Sequence, residues 1–565
     1  MRRRQRKRPA SPWLLAVAGV STAATLLWAQ AGTSASARGA AVITIWSFPS
    51  PRSMDPGVAA LESGLMAVGS LHSQIAAVSG HPAARTTFAL DPEFIAAIER
   101  ARVGQSILAA VRSAEMGQSG GASRELREVL SREVAVAQGM SATPLATRFA
   151  AHAAAARLAS SGARTVQFSH ADTVDFTGSA VLLSLLAGGY AHELAGLARK
   201  HLLSRQDVQL IATAFARACG DVMSKMKQAT ANGSVEVLAL PSREPILPLL
   251  IDAAGRNRQV PFTVAVNARA DAAAAVDDGL RAARALQPDS AGAGLLSPHG
   301  AYDDATAALL YERQATYAVF SERVAKAAGG ASVQAHTESL AAAYHGYMLD
   351  TGKNEKLPVL FCATGASDRL EALADDVPAT ALGDRVSQIA LGAWQDSGQK
   401  PDAVVVLCLS AAGRLAARID RDAALSHLFS VLGSGAFQSF TPKEYLRAHP
   451  PSAAAYGFSP ASDTGGFGLW MGSANQSSMW NALADARAAA GGDASLSRTS
   501  VRAALLRAES GYWYAAVRRP QPRAVSERLL ADFREAIAAI YRAADKPAPR
   551  SIAPVRWDST AAPGD

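Results

Sequence analysis

Residues 233–250 read GSVEVLALPSREPILPLL. The run from Val235 to Leu240 is short and apolar, as a strand buried on both faces must be. It breaks at Pro241-Ser242-Arg243-Glu244 and resumes as the apolar Pro-Ile-Leu-Pro-Leu-Leu of residues 245–250. Comparable runs occur at Val42 to Trp46, Thr86 to Leu90, Phe262 to Val266, Leu357 to Phe361 and Ala403 to Leu409. The second of these ends at Asp91-Pro92, where a helix can start. Long helical stretches separate the runs. This alternation predicts parallel strands joined by helical crossovers, in an α/β barrel or a doubly wound sheet.

Between about 102 and 161 the chain is Ala-rich and interrupted at Gly120-Gly121 and Thr143-Pro144, which predicts a helical insert without evident chemistry. From Trp480 to Ala544 the pattern is again helical, and Asp532 to Arg542 carries apolar residues at helical spacing. A helical subdomain over about 451–547, packed on a barrel or sheet domain over about 42–450, is expected, with a disordered tail over 548–565.

The chain has 565 residues, 49% of them hydrophobic and 18% charged, enough to bury a barrel-sized core and an additional region. Its formal charge of +8 suggests nucleic acid, but Arg2, Arg3, Arg4, Arg6, Lys7 and Arg8 supply six of those charges. The remainder, near +2, offers no footprint for a phosphate backbone, and nucleic acid is set aside. The basic cluster instead precedes an apolar run, Trp13 to Ala29, and the small residues Gly32 to Ala37, which is the layout of an export signal over residues 1–37. Cleavage after Ala31 or Ala37 and an uncleaved membrane anchor are both open readings. The expected location is therefore periplasmic, extracellular or N-terminally anchored. Membrane contact is expected only through that segment. Cys219, Cys362 and Cys408 are odd in number and widely spaced, against a disulfide framework or a thiolate zinc site. No cluster with metal-ligand spacing, Gly-rich phosphate cradle or Gly-x-Ser-x-Gly elbow occurs, so no metal or cofactor is expected.

Several segments carry a resemblance. Residues 233–250 are similar to a stretch of glycoside hydrolase family 57 in which a Gly-Gln-Ile/Leu-Glu strand runs into Ser-Pro-Tyr-Tyr-His-Pro-Ile-Leu-Pro-Leu-Leu. RTTFALDPEFIAAIE from Arg85, SFTPKEYL from Ser439, GFGLWMGSANQSSMWNAL from Gly466, AESGYWY from Ala508 and DFREAIAAIY from Asp532 resemble further elements of that family, in the same order. The resemblance spans roughly residues 42–547. It implies an incomplete (β/α)7-type barrel with a C-terminal helical subdomain, and a site at the carboxyl ends of the strands.

The resemblance also implies where the two catalytic carboxylates of a retaining glycosidase should stand. In GAGLLSPHGAYDD, residues 292–304, the nucleophile position falls on His299, and in FCATGASDRL, from Phe361, the acid/base position falls on Ala363. Asp368 matches a second, non-catalytic Asp of the family. Other polar strand ends differ as well: Pro49-Ser50-Pro51 replaces His-Gln-Pro, Ser242-Arg243-Glu244 replaces Tyr-Tyr-His, and Ser410-Ala411-Ala412-Gly413 replaces Asp-Gly-Glu-Asn. The expectation is a non-catalytic relative that binds an oligosaccharide or polysaccharide, such as an α-glucan, or a partner protein. The alternative is an active carbohydrate hydrolase or transglycosylase with relocated carboxylates, drawn from Glu236, Glu244, Asp303 and Asp368. Trp46, Trp470 and Trp480 are candidates for sugar stacking, with core packing as the competing reading. Glu236, Glu244, His299 and Asp368 complete the candidate ligand contacts, with no catalytic residue assigned.

Overall fold

A computed structural model of the chain describes residues 41–103, 106–116, 121–133, 143–160, 168–252, 266–287, 292–327, 344–350, 356–373, 376–396, 400, 402–418, 420–451, 454–455, 458, 460–519 and 523–552. The expected export signal, residues 262–265 of one expected strand and most of the expected tail lie outside the described residues.

Seven parallel strands close into a ring. They are β1 (Ala41–Phe48), β2 (Thr86–Leu90), β3 (Val235–Ala239), β4 (Leu295–Leu296), β5 (Ala318–Ser321), β7 (Lys356–Cys362) and β8 (Val404–Ser410), paired in that order, with β8 returning to β1. The longest seam pairs Ala41 to Ser47 with Val404 to Ser410. The β7–β8 seam is held at the single register Cys362 opposite Val406. Its lower part opens to β6 (Tyr347–Asp350), which pairs antiparallel to β7, and β6 in turn carries β10 (Ala454–Ala455). The two-residue β9 (Gln438–Ser439) pairs with the start of β1.

The pleat sorts side chains into two cores. Ala41, Ile43, Ile45, Leu238, Leu240, Tyr317, Val319, Leu360, Val404 and Val406 fill the barrel interior with Tyr445. Their strand neighbours Val42, Trp46, Phe48, Phe88, Val237 and Phe361 point outward, into the layer shared with the helices. Trp46 is fully buried there. The short helix Pro442–Ala448 brings Tyr445 to the interior; it starts in a capping box between Thr441 and Glu444 with proline in its first turn.

The regular elements among the described residues of the excursion between β2 and β3 are all helices, including Ser106–Met116, Gly121–Arg132, Pro144–Ser160, His170–Ala187 and Arg205–Ala231. The last two begin in capping boxes, Ser169 with Asp172 and Ser204 with Asp207. The C-terminal helices Ala474–Ala490, Thr499–Ala508, Gly511–Arg518 and Arg523–Ala543 follow the barrel. Arg487 binds the fully buried Asp271 through two hydrogen bonds, 2.9 and 2.7 Å, and so ties this region to the barrel helix Arg269–Leu286.

Because Trp46 faces the helices, Trp46→Ala is expected to lower unfolding stability by about 3–5 kcal/mol through the cavity it leaves. Urea denaturation measures this; a loss below about 1 kcal/mol would contradict the outward packing.

Candidate functional site

The inward side chains run out at the carboxyl ends of the strands, where a cavity of about 480 Å³ opens between the barrel and residues 507–519. Each strand end but one contributes directly: Ser47 and residues 49–54 after β1, Arg243 and Glu244 after β3, residues 297–300 after β4, Ser321 of β5, Cys362 with Thr364, Ser367 and Asp368 at β7, and Cys408 with Ser410 at β8. Asp91, after β2, is fully buried beneath them.

Two strand ends adopt the left-handed backbone region that non-glycine residues seldom occupy. Arg243 and Glu244 have φ of 66° and 52°, and His299 has φ of 53°. The β3 turn is closed by the Glu244 N–H donating to Pro241 O (2.9 Å) and anchored by the Arg243 N–H donating to Asp91 Oδ2 (2.8 Å). It is zipped to the C-terminal region by an antiparallel bridge between Pro245 and Ser510 and by the Gly511 N–H donating to Glu244 O at 3.2 Å. Glu244 Oε1 accepts the Ser50 N–H at 3.1 Å, which links the β1 and β3 loops. In the β4 turn a side chain is excluded at Gly300, whose added Cβ would lie 2.4 Å from Ser321 N. That close approach, with φ of 55°, demands glycine after His299.

His299 Nδ1 lies 2.9 Å from Asp463 Oδ2, and the Asp463 N–H donates to His299 O at 2.8 Å. The imidazole stands edge-on to Trp470, centroids 4.9 Å apart. Burial works against charge on His299, but the hydrogen bond and charge of Asp463, with Glu244 assisting, outweigh it and hold its pKa above the ordinary imidazole value. Burial pushes the Glu244 carboxyl up, opposed by His299, the Ser50 N–H and two arginines. Asp368 is also raised, by burial and then by the charge of Asp463. Beneath them Asp91 is pushed up to about 7 by burial and then by the charge of Glu244.

Among the expected candidates, Glu244, His299 and Asp368 meet in this cavity. The structure puts the others elsewhere. Trp46 points to the helices, and Trp470 and Trp480 are buried behind the cavity, Trp480 stacked on Tyr514 at 4.0 Å and donating through Nε1 to Trp470 O. Glu236 is an inward residue at the opposite, amino end of β3, where it accepts hydrogen bonds from the Tyr317 hydroxyl (2.5 Å) and the Lys443 N–H (3.0 Å). Asp303 caps the helix Asp304–Glu312, and Ala363 is a buried methyl. The aromatic rings that do line the cavity are Tyr512 and Trp513, in the AESGYWY segment. Asp463, Arg52, Arg507 and Arg519 also line it and carry no local sequence signal. Among the described residues no group of three or more His, Cys, Asp or Glu side chains is placed to hold a metal ion.

Comparison with solved structures decides the fold. A branching enzyme of the GH57 type from Pyrococcus horikoshii superposes with a TM-score of 0.51 at 10% identity, over 90% of this chain and 94% of that one. The chain has the fold of glycoside hydrolase family 57. A GH57 branching enzyme from Thermococcus kodakaraensis, in complex with glucose and additives, gives 0.52 at 11% identity over 88% and 90% of the two chains. An α-amylase from Thermotoga maritima gives 0.50 at 10% identity over 90% and 93%. No family model and no curated protein matches the sequence.

The buried Asp91 makes stability depend on pH. Its folded pKa, about 7, exceeds its ordinary 3.8, so the folded state holds the proton more tightly between those values and stability falls as pH rises from about 4 to 7. Asp91→Asn keeps one of the two acceptor oxygens that now take the Arg243 and Glu93 N–H groups, removes the titrating proton, and is expected to flatten that decline. Thermal melts of both proteins across this range measure it; an unchanged slope would exclude Asp91 as its source.

Proposed function

We propose that this chain binds a saccharide in the cavity at the carboxyl end of its barrel and does not hydrolyse α-glucans by the double displacement of retaining glycosidases. The observation that carries this reading is the chemistry at the two strand ends where the GH57 resemblance puts catalytic carboxylates. After β4 stands His299, its ring committed to Asp463, and after β7 stands Ala363, a buried methyl. Imidazole forms no glycosyl ester, and a methyl group moves no proton. The cavity otherwise suits a polyhydroxylated ligand. Its volume is that of a small-molecule site, its lining is dense in hydroxyls and charged groups, and the exposed Tyr512 offers ring surface to a pyranose.

A second reading has one observation in its favour. Glu244 with its raised pKa and the His299–Asp463 pair form an acid and a base in electrostatic contact, which is the pattern a relocated hydrolase would use. Reducing-end release from maltoheptaose, measured for the wild type and for a Glu244→Gln/Asp463→Asn double variant, separates the two. The expected result is no turnover above background in either protein. Turnover in the wild type that the double variant loses would overturn the non-catalytic reading and assign the chemistry to the relocated groups.

A further inference from the structure

The cavity is electrically divided. Its acidic groups, Glu244, Asp368 and Asp463, come from the ends of β3 and β7 and from the loop beside β4. Arg507 belongs to the C-terminal helix Thr499–Ala508, Arg519 directly follows the helix Gly511–Arg518, and Arg52 comes from the loop after β1. Arg243 also lines the cavity but is engaged, with a guanidinium nitrogen 3.0 Å from Glu93. The other three have no ion pair or side-chain hydrogen bond among the described residues. Arg52 lies 5.0 Å over the Tyr512 ring and is exposed, as is Arg519. Arg507 is half-buried; burial and the charges of Arg243 and Arg100 work against its own charge, while the charges of Glu93 and Glu125 favour it. A guanidinium does not shed its proton at ordinary pH, so Arg507 is a partly desolvated cation with donors unspent. No carboxylate hydrogen-bonds this guanidinium among the described residues, so its donors are open to an anionic group of a ligand.

On the reading that this cavity binds a saccharide, we infer that the saccharide is acidic, with its anionic group seated by Arg507 between Arg52 and Arg519. The ligand is oriented by the division itself. A carboxylate, sulfate or phosphate is attracted to the wall of residues 507–519 and repelled from Glu244, Asp368 and Asp463. Hydroxyl groups of the same ligand then donate to those carboxylates. Guanidinium suits this role because its planar fork binds an oxyanion through two parallel hydrogen bonds.

The test uses the full chain and isothermal titration calorimetry with five probes: glucuronate, trigalacturonate, the methyl ester of trigalacturonate, maltotriose and inorganic sulfate. Trigalacturonate or glucuronate is expected to bind at least tenfold more tightly than the neutral sugars, and added salt to weaken that binding. Arg507→Gln is expected to lose about ten- to a hundredfold in affinity for the acidic sugar, the range for a charge-assisted pair. The exposed Arg519→Gln, which carries less risk to folding, is expected to lose less, and melting curves of both variants guard against a folding defect. Equal binding of the acid and its methyl ester, or full affinity in well-folded Arg507→Gln, would overturn the inference and leave the saccharide reading standing. Sulfate binding that Arg507→Gln loses, with no sugar bound, would keep the anion seat and overturn the saccharide reading. Silence from all five probes would overturn both.

Discussion

Ring closure is the constraint from which the site follows. In a parallel barrel every strand points the same way, so closing β8 onto β1 and β7 gathers the strand ends at one mouth. The pleat then decides which side chains reach it. Residues in phase with Ile43 and Ile45 look inward, so Ser47 arrives at the cavity while Trp46 cannot. The same parity places Glu236 and Leu240 on one face of β3, but at opposite ends of the barrel. Glu236 closes the amino end, where it accepts an N–H from the start of the helix Pro442–Ala448, and Leu240 borders the ligand space. Position along the strand separates a structural carboxylate from one at the site.

The strained turns complete what closure begins. A strand that simply ended in a relaxed loop would leave Glu244 and His299 free to lie along the surface. Left-handed backbone at both positions is maintained because each turn is held from several sides: Glu244 by Ser50, Pro241, Gly511 and the Asp91–Arg243 contact, His299 by Asp463 and the tight fit of Gly300 against Ser321. The C-terminal helical region therefore does more than cover the barrel. It supplies the ring of Tyr512 and the guanidiniums of Arg507 and Arg519, and its bridge at Ser510 fixes the β3 turn.

Much of this was legible in the sequence, for physical reasons. Five strands coincide with their apolar runs, Thr86–Leu90 residue for residue, because strands covered on both faces must be apolar throughout. The strand ends singled out by resemblance, at Pro49 to Pro51, Glu244, His299, Asp368 and Ser410, do converge. The same apolarity hides orientation. A run such as AVITIWSF contains no polar face to reveal which residues look inward, so Trp46 could be read either way until the ring fixed its phase. β4 has two residues and β5 four, too few to declare themselves by pattern. Asp463, Arg507 and Arg519 join the cavity only through contacts between segments distant in sequence, as His299 and Asp463 are, 164 residues apart, and nothing in their neighbours marks them.

An imidazole held by Asp463 stands at the strand end where the GH57 resemblance implies a nucleophile. Titration of His299 by NMR, assigned by comparison with His299→Gln, measures that arrangement directly. The wild-type ring is expected to titrate above the ordinary imidazole value, and Asp463→Asn to bring it down. A wild-type His299 that titrates at or below the ordinary value, or one that does not respond to Asp463→Asn, would contradict the site as described.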